Sequence, residues 1–221
     1  MNPVDQALEG LWKWAAATGI ALDRQQQLQV RQYLDVLLLW NRRVSLVSQN
    51  DPQAIVCKHF ADSLVAAAHC DPRAAVVDLG TGAGFPGLVI AIARPAARVT
   101  LIESKQKKVS FLLEVIRSAN IENARTVETR IESAARDPEH TGQYLVAISR
   151  ALSDLPGFLA LAAPFLSIGG IALAMKGPTY STELRMFSND DLERAGFATP
   201  QLYRYQLPDG AERALLSFRR I

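Results

Sequence analysis

The stretch from Ala74 to Gly87, AAVVDLGTGAGFPG, constrains this chain more than any other. Ala75, Val76 and Val77 form a short apolar run without polar alternation, the pattern of a central parallel strand covered on both faces. Asp78 closes the run. Gly80, Gly82 and Gly84 then remove three side chains within five residues, so the backbone can turn sharply and a ligand can lie against it. Pro86 suits the first turn of the next helix, where a missing N–H costs nothing, and Leu88 to Arg94 continues that helix. Strand, glycine loop and helix stand in the order that a nucleotide-type ligand needs.

The glycine spacing alone leaves the ligand open. Gly82, Gly84 and Gly87 also fit G-x-G-x-x-G, the spacing of dinucleotide-binding folds. A ligand-free turn in which Asp78 caps nearby backbone fits as well. Two features favour S-adenosylmethionine (SAM) over NAD. Asp78 stands two positions before the first glycine, where a carboxylate could meet the ammonium of a methionine moiety but would repel a pyrophosphate, and the loop contains no cation.

A chain of 221 residues accommodates one α/β domain with an added segment. Helical spacing runs from Asp5 to Ala17, with Leu8, Leu11, Trp12 and Ala15 inward and Gly19 where the helix would end. A second helix is predicted from about Asp23 to Arg43. Its buried stripe would be Leu28, Leu34, Leu37, Leu38 and Trp40, and Arg24, Arg31, Arg42 and Arg43 would form either a solvated face or an RNA-facing ridge. Asp51-Pro52 opens a third helical stretch through Lys58, His59, Phe60, Asp62 and Ser63. Residues 1–70 thus read as a helical extension packed on a domain of residues 71–221.

After the loop, strand and helix alternate, as a parallel sheet with right-handed crossovers requires. Strands are predicted at Arg98 to Glu103, Ala124 to Glu128, Tyr144 to Ser149 and Ile171 to Lys176. The helices between them are Lys105 to Ala119, with Val109, Leu112, Leu113 and Ile116 inward, a short one from Ile131, and one near Leu155 to Ala163. Gln201 to Leu207 and Arg213 to Phe218 flank Pro208-Asp209-Gly210 as a terminal hairpin. Five parallel strands with that hairpin describe a seven-stranded methyltransferase sheet, and no room remains for a dehydrogenase's second domain.

Composition bounds the function classes. Apolar residues at 49% and charged residues at 21% exclude a mostly disordered chain. A net charge of +2 and a pI of about 8.6 permit a nucleic-acid partner without demonstrating one. Cys57 and Cys70 form no CxxC pair, and His59, His69 and His140 are not spaced as metal ligands, so neither zinc nor a disulfide framework is expected. The acids in MNPVDQALEGLWKW argue against a secretory signal. The most apolar region, Phe158 to Met175, is split by Pro164 and Gly169-Gly170 into helix, turn and strand instead of spanning a membrane. A cytoplasmic protein is expected.

Several residues fall at the carboxyl edge of the predicted sheet, where open α/β folds bind ligands. Glu103 ends the second strand 23 positions after Gly80, about where an acid accepts from both ribose hydroxyls of an adenosine ligand. Lys105, Lys107 and Lys108 crowd a helix start, which disfavours cations, so a phosphate partner or plain solubility must account for them. Arg130, Ile131 and Glu132 follow the third strand, where a backbone N–H could read adenine. Arg150 in Ser149-Arg150-Ala151 and Lys176 in MKGP end the fourth and fifth strands, pointing at the ligand crevice. No Ser-His-Asp order, HExxH or Walker loop is present.

VVDLGTGAGFPG, the downstream E-S-K-x-K-K-V-x-F-L, ISRA at Ile148 to Ala151, MKG at Met175 to Gly177, Trp40-Asn41 and HFADSL at His59 to Leu64 together identify a resemblance. From Trp40 to Arg213 the chain resembles the bacterial glucose-inhibited division protein B family, the 16S rRNA guanine-N7 methyltransferases also called RsmG. The resemblance implies a Rossmann-like class I SAM-dependent methyltransferase fold. It implies that Gly80, Phe85, Ile131, Glu132 and Arg150 contact SAM, that Asp78, Gly82, Gly84 and Glu103 line the same pocket, and that Lys176 and Arg213 lie on the RNA side. The implied substrate is one guanine, at position 527 in the 530 loop, of 16S rRNA in the small ribosomal subunit. The implied enzyme is a monomer without a membrane partner. Two departures, Ser45-Leu46-Val47 after the WN pair and Gly210-Ala211-Glu212-Arg213-Ala214 without a histidine, bear on RNA contacts only.

Guanine N7 has a free lone pair at neutral pH, so the absence of an evident general base agrees with that chemistry. Catalysis would come from holding N7 in line with the sulfonium methyl at roughly 3 to 3.5 Å with water excluded. Arg150 and Lys176 are the candidates to donate to guanine O6. Phe85, if exposed above the loop, would stack on adenine or the target base. An NAD-binding oxidoreductase domain and a noncatalytic RNA-binding protein of the same fold are the other readings.

Overall fold

The computed structural model describes residues 2–150, 152–185 and 188–221, which leaves Ala151 of the ISRA motif outside the described residues. Seven strands, β1 (Ala75–Leu79), β2 (Arg98–Glu103), β3 (Ala124–Glu128), β4 (Tyr144–Arg150), β5 (Leu166–Lys176), β6 (Gln201–Gln206) and β7 (Glu212–Arg219), form one sheet in the order β3-β2-β1-β4-β5-β7-β6. The first five run parallel, and β7 joins β5 antiparallel with β6 outside it. The hairpin turn at Pro208-Asp209-Gly210 is present, with Gly210 at φ +79°. This is the seven-stranded, mostly parallel sheet with a terminal antiparallel hairpin that the sequence predicts. All five residues of β1 are buried, as its unbroken apolar run requires. Val76 meets one core, and Ala75, Val77 and Leu79 meet the other.

Helices α1 (Pro3–Ala17), α2 (Arg24–Asn41), α3 (Pro52–Ile55) and α4 (Ala61–Ala68) precede the sheet. They cover α5 (Gly87–Ala93) and α6 (Gln106–Ser118), so Tyr33, Leu34 and Phe60 share one core with Leu88, Val89 and Phe111. The opposite face holds α7 (Ile131–Ala134), α8 (Leu155–Ala162), α9 (Tyr180–Arg185) and α10 (Asn189–Arg194). Side-chain caps set the helix starts: Asn2 for α1, an Asp23–Gln26 capping box for α2, and Asp51 ahead of Pro52 for α3. Between α3 and α4 the chain widens into one π-turn, Val56–Phe60, in which the Ala61 amide reaches back to Val56.

The structure corrects four local expectations. Leu28 is 55% exposed, because α2 buries the stripe Val30, Tyr33, Leu34 and Leu37 and turns Leu28 to a shallow surface groove beside Trp12. Leu113 is likewise exposed. Phe111 and Leu113 lie about 200° apart around α6, and Phe111 with Val115 takes the inward face. Pro86 caps α5 from just outside it instead of entering its first turn. β5 begins at Leu166, five residues before Ile171, and absorbs the surplus in a register shift opposite Tyr144 and Val146. A Cβ on Gly170 would stand 2.9 Å from the Ser167 carbonyl there, so only glycine fits. The apolar stretch does divide into α8, a 3₁₀ turn at Ala163–Phe165 and β5, and among the described residues no helix is long and apolar enough to cross a membrane.

Candidate active site

Carboxylates hold the glycine loop from beneath. Asp78 Oδ2 accepts from Thr81 Oγ1 at 2.6 Å and from the Gly87 amide at 2.8 Å, which fastens both ends of the turn. Asp78 is fully buried, and burial pushes its pKa up to about 6. In this structure its Oδ2 is thus committed to the loop's own backbone and hydroxyl. Its carboxyl is the loop's internal cap, leaving Oδ1 without a hydrogen-bond partner. Glu103 works alongside: Oε2 accepts from the Gly82 amide at 3.1 Å and Oε1 from the Lys105 amide at 2.9 Å. Gly80, Gly82 and Gly84 have φ of +68°, +61° and +91°. At Gly84 a Cβ would stand 2.5 Å from Leu88, so the left-handed backbone and the close approach both require glycine there.

The loop's far side faces a small apolar wall. A Cβ on Gly80 would sit 2.9 Å from Leu152 and 3.7 Å from Ile131, so Gly80 and Ile131 come together as the sequence predicts, with Glu132 exposed one residue on. Lys108 Nζ stands 3.7 Å from where a Gly82 Cβ would be. This brings to the loop a cation that its own sequence lacks, and one member of the lysine cluster thereby gains a place.

Phe85 is buried and not exposed above the loop. Its ring stacks against Tyr33 at 5.1 Å and against His59 at 5.1 Å, with Phe60 edge-on at 5.0 Å. The ring is thus packed into the core and offers no open face above the loop. Tyr33 donates its hydroxyl to the Ala83 carbonyl, tying α2 to the loop. The Arg150 guanidinium lies 5.4 Å above the Phe85 ring.

Arg150 reaches the carboxyl edge, where two of its five N–H donors are engaged. Nη1 donates to the Lys58 carbonyl at 3.1 Å, and Nη2 meets His59 Nδ1 at 2.5 Å. The π-turn supplies both acceptors, since a widened turn leaves a carbonyl surplus to its own helix. His59 Nε2 in turn contacts Gln49 Oε1 at 2.8 Å. With Arg150 donating to Nδ1, His59 is neutral with its proton on Nε2. Burial, helped by the Arg150 and Lys58 charges, lowers its pKa to about 3. Asp62, 3.8 Å from Arg150 Nη1, accepts from the Tyr205 hydroxyl at 2.5 Å, and burial raises its pKa.

These groups open on a cavity of about 700 Å³ over the ends of β4 and β5. Lys176 lines it, but its Nζ is bound to Glu183 at 2.8 Å and to the Ser153 carbonyl at 3.0 Å, so its expected approach to substrate requires leaving that pair. Arg213, at the start of β7, lines the cavity half-buried, and among the described residues it hydrogen-bonds the neighbouring Glu212 carbonyl. Sequence reasoning missed Tyr33, Gln49, Asp62, Glu183 and Tyr205 as parts of the site. HFADSL was the one readable signal, and nothing in it shows the π-turn that aims His59 and the Lys58 carbonyl at Arg150. On the far, amino edge of the sheet, His140 does gather with Asp137 and Glu139, their ligand atoms within 4.8 Å, and its Nδ1 contacts Tyr144.

A family model described as rRNA small subunit methyltransferase G matches residues 26–196. The chain belongs to that family. A ribosomal RNA small subunit methyltransferase G from Roseiflexus sp. is 34% identical over 215 residues, 97% of this chain and 92% of that protein. One from Acetivibrio thermocellus is 36% identical over 195 residues, covering 88% and 80%. Among solved structures, M. jannaschii TYW2 in complex with AdoMet superposes with a TM-score of 0.55 at 17% identity, covering 74% of this chain and 76% of that one, a likeness of fold. Membership in the methyltransferase G family decides the question the glycine spacing left open, in favour of SAM over NAD. The residues fit that ligand: three glycines with left-handed backbone, two of them, Gly80 and Gly84, closely approached by neighbouring side chains, Glu103 at the end of β2, and a crevice at the carboxyl edge.

Proposed function

We propose that this methyltransferase acts on N7 of a single guanine, position 527 in the 530 loop of 16S rRNA, as a cytoplasmic monomer working on rRNA or the small ribosomal subunit. One observation supports the choice of atom: the bases lining the cavity are already engaged. His59 is neutral with both ring nitrogens bonded, Asp62 holds Tyr205, and Glu183 holds Lys176. An exocyclic amine or a ribose hydroxyl needs a group to take its proton, whereas guanine N7 offers a lone pair and needs none. SAM, when bound, supplies the methyl on a sulfonium centre.

The chain's own part is binding and positioning. Gly80, Gly82, Gly84 and Ile131 form the surface that SAM would lie against, Glu103 would accept from its ribose, Glu132 flanks it, and Lys108 would face its carboxylate end. Phe85 acts through Arg150, whose plane it supports. Arg150 and Lys176 would donate to guanine O6, and Arg213 would meet a phosphate of the same strand. Covering the base between these cations and the apolar wall of Leu152 excludes water from the transfer.

The decisive assay incubates the protein with methyl-tritiated SAM and small-subunit particles that lack the modification, then maps label by N7-methylguanine cleavage. Label on one guanine in the 530 loop is expected. Label elsewhere would overturn the target, and no label despite SAM binding would favour a noncatalytic RNA-binding protein. Arg150→Ala should lower turnover at least tenfold and weaken SAM affinity. Wild-type turnover in that variant would remove Arg150 from the mechanism.

A further inference from the structure

A second depression, about 560 Å³, lies beyond the cavity over the ends of β7 and β6. Pro178 and Arg213 line both, so the two are continuous. The carboxyl edge therefore reads in order across the sheet: glycine loop after β1, substrate cavity over β4 and β5, second groove over β7 and β6. The groove's distinctive feature is a tyrosine–arginine pair. Arg204, exposed on the edge strand β6, places its guanidinium 5.9 Å over the Tyr180 ring and donates Nε to the Tyr180 hydroxyl at 2.5 Å. Among the described residues, its two terminal nitrogens have no protein partner. Tyr205, Arg213, Ser181 and Gln206 also line it, and Glu212 is the acid among the lining residues.

From this we propose that the groove is a second nucleotide site, holding an unstacked nucleotide of the same single strand beside the methylated guanine. The base stacks on the Tyr180–Arg204 pair, and the free guanidinium nitrogens of Arg204, with Arg213, take the phosphate. Aromatic faces backed by arginine, next to a backbone-tracking cation, are how single strands are held without sequence readout. A helical RNA could not present an open base face to the pair, so the substrate enters as a locally melted or looped strand. The inference rests on RNA being the substrate and adds where the strand runs: out of the cavity past Arg213 and along β6.

The test reads RNA binding directly, apart from methylation. A single-stranded ten-nucleotide RNA carrying one 2-aminopurine is titrated with the full chain at several salt concentrations, and SAM affinity and thermal midpoint are measured beside it. Wild type should quench the probe. Arg204→Ala and Tyr180→Ala should weaken binding at least fivefold, with SAM affinity and midpoint unchanged. Arg204→Ala should also lower the salt slope by about one. Arg204→Lys should restore the slope but not the quenching, a split that a merely structural pair would not give. Equal binding by wild type and both alanine variants, or no binding by wild type, overturns the groove. Methylation in the wild type alongside equal binding would leave the proposed function standing without it. Normal probe binding with no label on rRNA would do the reverse.

Discussion

At the β1–β2 end of the carboxyl edge the bonds that shape the site run to backbone amides: Asp78 to Gly87, Glu103 to Gly82 and Lys105. At the β4–β6 end side chains also bond one another, two of the pairs joining residues some ninety or more positions apart, Arg150 to His59 and Asp62 to Tyr205, and one local, Lys176 to Glu183. The first end is a surface fixed in advance for one small ligand. The second is a set of side-chain pairs. On the proposed function, the contrast teaches that the methyl donor would be met by shape and the substrate by charge.

That contrast can be broken by substitution, beginning where the effect is largest. Gly87→Ala places a Cβ 2.3 Å from Leu101 and 2.7 Å from Asp78 Oδ2, and should cost about 3 kcal/mol or more in urea unfolding, losing SAM binding with stability. A variant that folds normally and binds SAM would mean the loop is not fixed in advance. Tyr205→Phe leaves buried Asp62 without its donor. The expected loss is about 1–3 kcal/mol, with SAM affinity unchanged, and a parallel fall in SAM affinity would erase the distinction between the two ends.

His59 sharpens the comparison through pH. Its folded pKa, about 3, lies below the ordinary histidine value, so its stabilising contribution is full above pH 6.5 and is lost as pH falls toward 3. Asp78, raised to about 6, acts in the opposite sense and favours the folded state as pH falls from 6 toward 3.8. The difference between wild type and His59→Gln isolates the histidine. Its slope should reach at most about 1.4 kcal/mol per pH unit below 6.5 and vanish above it. Smallest of all, Glu183→Gln removes a partly exposed pair and should change stability by under about 1 kcal/mol, read as the urea midpoint. A larger change would make Lys176 part of the scaffold and not a reserve for substrate.

The same division explains what the sequence disclosed. Strand limits at β2 and β3, the hairpin turn and the loop glycines follow from local patterns, and the structure has them where those patterns place them. Phe85 was legible as an aromatic after the loop but not as a ring stacked on Tyr33 and His59, because those partners come from α2 and a π-turn that no periodicity announces. Leu28 and Leu113 are apolar by type and exposed by phase, which spacing resolves only once neighbouring stripes are weighed. Lys176 and Arg150 were placed at the correct edge by strand ends alone. Their partners, Glu183 and the Lys58 carbonyl, are tertiary facts.

The sheet's strand order has a consequence for synthesis. β7, the last strand made, lies between β5 and β6, and its residue Ala214 stands beside Lys176. A ribosome that has completed residue 176 has already produced all five parallel strands and the whole donor-binding edge. Yet the apolar flank of β5 stays open, and Arg213 and the Tyr205 clamp on Asp62 do not exist. The parallel half of the sheet is therefore complete in sequence before the residues that close the substrate side. The β6–β7 hairpin adds as a unit to the open edge of β5.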